Sequence, residues 1–111
     1  MTKPPTAIGF LRRDISGTRQ QWDETQIRSL AARFGYDLAK ILVFGPDTDR
    51  PVHRLRVAVS RTGAAAVFVP GPRHFDDARV PAALVAAADV VTVDTEQTYA
   101  RTSAPTLGEQ R

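Results

Sequence analysis

Four short apolar runs punctuate the chain: Ala7–Leu11, Leu38–Phe44, Ala64–Val69 and Val90–Val93. The first does not alternate cleanly between apolar and polar residues, which suits a strand buried on both faces of a sheet. Lys40 interrupts the second run and marks an edge or a strand end. The third, Ala64-Ala65-Ala66-Val67-Phe68-Val69, has no polar residue at all and is expected at the centre of the sheet.

The segments between the runs carry helical spacing. Asp14 to Gln21 reads as a polar loop containing Gly17. Beyond it Ile27, Leu30, Ala31 and Phe34 fall at i, i+3, i+4, i+7 and form one apolar stripe. Asp23 is placed to cap that helix, with Gln26 completing a capping box and Trp22 and Ile27 forming a hydrophobic staple. Gly35 supplies its stop. A second helix opens at Arg50-Pro51, where proline suits the first helical position, and buries Val52, Leu55, Ala58 and Val59 before Gly63 ends it. A third is expected from Ala78 to Ala88, with Pro81 in its first turn. Gly45–Asp49 and Pro70–Phe75 are loops.

The order is thus β-α-β-α-β-α-β with short connections. It predicts one α/β domain over residues 7–97, with three layers and a mostly parallel four-stranded sheet joined by right-handed crossovers. Residues 1–6 and 98–111 are polar and read as loose tails.

Composition narrows the chemistry. A chain of 111 residues with 42% apolar and 24% charged residues is one globular domain. It contains no cysteine, which excludes disulfides and thiolate metal sites, and only His53 and His74 as imidazoles, so neither a metal nor a cofactor is expected. No glycine-rich phosphate loop of either common pattern occurs. No apolar run reaches the ~20 residues of a membrane span, and the expectation is a soluble cytoplasmic protein without membrane contact. Net charge is +3 and 13 of the 15 basic residues are arginine, whose planar fork suits phosphate. Arg12, Arg50 and Arg73 each stand shortly after the carboxyl end of one of the first three strands. If those strands are neighbours, the three guanidiniums converge where a phosphate or another polyanion could bind.

Four segments resemble the catalytic domain of serine recombinases, the resolvase/invertase family. Ile8-Gly9-Phe10-Leu11-Arg12-Arg13-Asp14 follows the family's first strand, I-G-Y-x-R-x-S. Gln26-Ile27-Arg28-Ser29-Leu30 matches Q-[LI]-x-x-L. Phe44-Gly45-Pro46-Asp47-Thr48-Asp49-Arg50-Pro51 keeps the spacing and the ending of S-G-x-x-x-x-R-P. Val69-Pro70-Gly71-Pro72-Arg73-His74-Phe75-Asp76 stands where the family has L-D-R-L-x-R. The resemblance covers roughly Ala7 to Thr95. It implies a serine that attacks a DNA phosphodiester to form a phosphoserine link, with arginines stabilising the transition state and no metal. Arg12, Arg50 and Arg73 match the family's arginines, as catalytic and phosphate-binding residues. The second arginine of the last motif is replaced by Asp76, and the acidic residue before the first by Pro72. The serine position falls on Asp14 counted from the strand and on Gly17 counted from Gln26. Ser16 lies between and is the candidate nucleophile.

These residues imply a degenerate resolvase-like domain that retains a DNA-backbone-binding arginine cluster or serves as an interaction module. Its partners would be DNA, recognised without sequence specificity, and a second copy or another protein. Two alternatives stand beside it. One is an active recombinase fragment using Ser16 with a separate DNA-binding partner. The other is an unrelated small α/β ligand-binding or interaction domain.

Overall fold

A computed structural model describes residues 3–102. The chain forms β1 (Thr6–Arg12), α1 (Arg13–Ser16), α2 (Gln20–Arg33), β2 (Asp37–Phe44), α3 (Pro51–Thr62), β3 (Ala66–Val69), α4 (Ala82–Val85), β4 (Asp89–Thr92) and β5 (Gln97–Tyr99). Short 3-10 turns fill Gly17–Arg19, Pro72–His74 and Asp76–Ala78. The sheet has five strands in the order β2-β1-β3-β4-β5. The first three pairings are parallel and β4–β5 is antiparallel. The expected four strands are therefore all present, and a fifth is added where the polar tail was expected to begin. Its sequence, Gln97-Thr98-Tyr99, is largely exposed and gives no apolar run to read. Residues 1, 2 and 103–111 of the expected tails lie outside the described residues.

Parallel pairing with helical returns buries the inner strands on both faces. Alternate residues of β1 divide between two cores. Ile8 and Phe10 join Leu55 and Val59 of α3 and Leu84 of α4 on one face. Ala7 and Leu11 join Ile27, Leu30 and Ala31 of α2 on the other. β3 is the middle strand, and its residues are all buried, as its apolar sequence requires. β2 lies at one edge, where exposed Lys40 belongs, and its pairing slips by one residue opposite Ala7 and Ile8.

Two helices differ from their expected form. The segment after β1 is not an open loop but a turn of helix and a 3-10 turn leading straight into α2. Asp23 consequently lies inside the first turn of α2, and no side chain caps that helix. Trp22 is 55% exposed rather than packed as a staple. The expected third helix contracts to the single turn of α4. Arg79 is extended and Pro81 stands just ahead of the turn as its flanking residue, so the helix cannot start earlier. Among the described residues no helix is long and apolar enough to cross a membrane.

Candidate phosphate-binding edge

The chain runs outward from β1 to β2, then crosses back over β1 to β3. The direction of winding reverses between β1 and β3. In an open α/β sheet the crevice outside the carboxyl ends of two such strands is the natural ligand site. Here it is flanked by residues 13–19, leaving toward α2, and by residues 70–78, leaving toward α4 on the opposite face. Arg12, Ser16 and Arg73 belong to these two segments. Arg50 belongs to the segment after β2, on the far side of β1.

The crevice is occupied by the chain itself. His74 is buried, and its Nδ1 accepts a hydrogen bond from the Arg12 backbone N–H at 2.9 Å. That bond ties the loop after β3 to the end of β1. A ring accepting at Nδ1 carries its neutral-state proton on Nε2, which has no partner among the described residues. Burial pushes the His74 pKa down to about 4, a shift reinforced by Arg73 and Arg12 and opposed by Asp23 and Asp14. The imidazole is therefore neutral at pH 7 and offers no general acid with a matched pKa.

The Arg12 side chain bends back along the surface to Asp14. Its Nε and one terminal nitrogen donate to the two carboxylate oxygens at 3.1 and 2.6 Å. This is the bidentate geometry in which arginine takes phosphate. Asp76, which stands where the resemblance calls for an arginine, approaches the other terminal nitrogen at 3.7 Å. The hydrogen bond from Arg12 holds the Asp14 carboxyl below the usual carboxylate range, and the same bond raises Arg12 further. Arg13 folds over the other side of β1, where its guanidinium lies where a side chain at Gly45 would have to be.

Ser16 is buried and its hydroxyl donates to Asp23 Oδ2 at 2.6 Å. Both line a polar cavity of about 460 Å³ together with Arg19, Trp22, Gln26, Arg73 and Asp94. Ser16 and Arg73 thus meet in one cavity. Arg12 lines a second, with Phe75 and Val52. Arg50 lines a third, against Lys40 and Arg61. The three arginines share an edge of the sheet but no common cavity, because β1 and the α3 start separate Arg50 from the crevice. Asp23 and His74 are the residues of this edge that sequence reasoning undervalued. Asp23 was assigned to a cap that does not form, and the burial of His74 depends on strand order, which no local pattern reveals.

Comparison with protein-family models and with curated proteins finds no match to this chain.

Proposed function

We propose that the chain is a catalytically degenerate resolvase-like domain that works by binding rather than by cutting and rejoining DNA. One observation carries this reading: Asp14 occupies the fork of Arg12 through two hydrogen bonds. Asp14 stands at the serine position counted from β1. A carboxylate there supplies the negative oxygens that the guanidinium would otherwise take from a phosphodiester, and it repels the incoming phosphate. The neutral, buried His74 beneath Arg12 leaves the crevice further closed.

The test is covalent trapping on nicked suicide DNA substrates. No adduct is expected from the wild-type chain. Asp14→Ala is expected to raise affinity for a phosphate diester at least about tenfold, the scale of one charge-assisted hydrogen bond, and Arg12→Ala is expected to cancel that gain. An adduct lost in Ser16→Ala would overturn the proposal.

Such an adduct would favour the second reading, an active strand-exchange fragment, which draws on a different observation. Ser16 is hydrogen-bonded to a carboxylate in the cavity that also holds Arg73 and Arg19. Asp23 would accept the serine proton and the arginines would face the phosphate. In that case Asp23→Asn would reduce trapping along with Ser16→Ala.

A further inference from the structure

We infer that the apolar cavity beside the turn Asp76–Ala78 binds a compact uncharged molecule whose one hydrogen-bond acceptor is taken by His74. The body of that ligand is aromatic or branched aliphatic. This goes beyond the reading above and does not rest on it, since neither DNA nor phosphate enters. The cavity measures about 440 Å³, a size usual for small-molecule sites. Phe10, Val52, Leu55, Phe75 and Val80 supply its apolar walls. The rings of Phe10 and Phe75 lie 5.3 Å apart. His74 joins these walls, and not those of the cavity that holds Ser16 and Arg73. It is 1% exposed, and its Nδ1 is used by the Arg12 N–H. Nε2 is thereby left as a buried donor without a partner among the described residues. Native structures seldom leave such a donor unpaired, and apolar sites fix their ligands with a few polar groups of this kind.

The charges around the cavity set the charge of its ligand. Arg12 and Arg79 border it together with Asp76 and Asp77, and Asp14 already fills the Arg12 fork. An anion would meet two carboxylates and an engaged guanidinium. An ammonium would set its own donors against the Nε2–H. The imidazole itself is neutral at pH 7 and offers a dipole rather than a charge. A carbonyl or a similar neutral acceptor therefore suits it. The turn at the rim adds an independent sign. Asp77 and Ala78 are consecutive left-handed residues, at φ 59° and 52°. An Arg79 N–H bond to the Asp76 carbonyl at 3.3 Å closes the turn. Turns with two left-handed central residues ordinarily use glycine or asparagine. Among the described residues no other two neighbouring non-glycine residues share that backbone. Backbone of this kind gathers at ligand clamps. The acceptor reaches the buried Nε2 by displacing this turn, and release of its strain offsets part of the cost.

The experiment is a proton–nitrogen NMR titration of the full chain with three probes: benzamide, toluene and benzoate. Benzamide carries a neutral carbonyl, toluene lacks an acceptor and benzoate adds a negative charge. Benzamide is expected to bind with a Kd near ~1 mM. It should shift the backbone amides around Phe75–Ala82 and move the His74 Nε2–H resonance downfield. Toluene and benzoate are each expected to bind about tenfold more weakly and to leave that resonance in place. Val80→Phe fills the cavity from a half-buried position and is expected to weaken benzamide at least about tenfold. Ala82→Leu, at an exposed position on the same rim, gives a second blocking variant should the first disturb the fold. Absence of saturable shifts at about 20 mM benzamide would overturn the inference. So would equal affinity for toluene, tighter binding of benzoate, an Nε2–H unmoved by bound benzamide, or undiminished binding in a folded blocking variant.

Discussion

His74 is where one side chain most affects the whole. It is 1% exposed, its Nδ1 joins the loop after β3 to the end of β1, and its Nε2–H is orphaned among the described residues. Burial disfavours the imidazolium, so the folded pKa of about 4 lies below the ordinary value of 6.5. The folded state then binds fewer protons than the unfolded one between those values. Stability is fully present above pH 6.5 and falls as the pH drops toward 4, by roughly 3 kcal/mol in total for this group. Urea unfolding at a series of pH values should show that loss, and His74→Gln should remove most of the slope in that window. A slope that survives the substitution would assign the acid sensitivity to the carboxylates instead. Arg50 offers the opposite case. Relieving its left-handed backbone at φ 50° with Arg50→Gly should stabilise the fold by about 1 kcal/mol. Thermal melting of that variant checks it. Neither property was legible in the sequence. The conformation of Arg50 and the burial of His74 are fixed by how distant segments meet, whereas the sequence shows only a helix start at Arg50-Pro51 and a proline-rich loop before His74.

Among the elements, those with long apolar spacing were read well and those without it were not. Ile27, Leu30 and Ala31 are buried on α2, and Leu55, Ala58 and Val59 on α3, as their periodicity requires, whereas Phe34, the last of the expected α2 stripe, lies just past the helix end and is 41% exposed, and Val52 is only half-buried. Pro51 and Gly63 bound α3 for the reasons given by their backbone chemistry, and Gly63 lies at φ 68°. The start of α2 was misplaced because Asp23 and Gln26 fit a capping box that a preceding turn of helix displaces. α4 was overextended because an alanine-rich stretch looks helical whether or not packing completes it. The contact between β1 and α2 yields a direct test. A methyl group at Gly9 would come within 2.9 Å of Ile27 Cγ2 and 3.0 Å of Ile41 Cγ1. Ile27 is fully buried and β-branched, so it cannot rotate away freely. Gly9→Ala should therefore cost about 1–3 kcal/mol through overpacking. Ile27→Val and Ile41→Val each remove only Cδ1 and keep the γ carbons nearest the new methyl, so neither should restore stability when paired with Gly9→Ala. Denaturant midpoints of the three variants decide the matter.

The molecule as a whole is a sheet with two edges, and they are protected differently. At one edge β2 carries Lys40 and a register slip, both of which discourage pairing with another chain. At the other, β4 buries Val90, Val91 and Thr92. β5 covers it by pairing Tyr99 with Val90, Thr98 with Val91 and Gln97 with Thr92. Tyr99 also packs on the core beside α3 and α4. The hairpin is fastened by the Arg33–Glu96 contact at 2.9 Å and by a hydrogen bond from the Arg101 N–H to Asp89 at 2.6 Å. The first of these is exposed and adds little. β5 escaped notice in the sequence because its job is to cover an edge, which needs backbone groups more than apolar side chains. A chain ending at Glu96 should therefore fold with β4 as a bare edge. Loss of the ladder and of the half-buried tyrosine should cost about 3 kcal/mol, lowering Tm by more than about 10 °C. The shortened chain should also associate, since Val90 and Val91 would lie beside unpaired backbone. Light scattering and melting curves measured together distinguish the outcomes. A monodisperse protein with an unchanged Tm would mean that β4 needs no partner and that the strand past the turn is incidental to the fold.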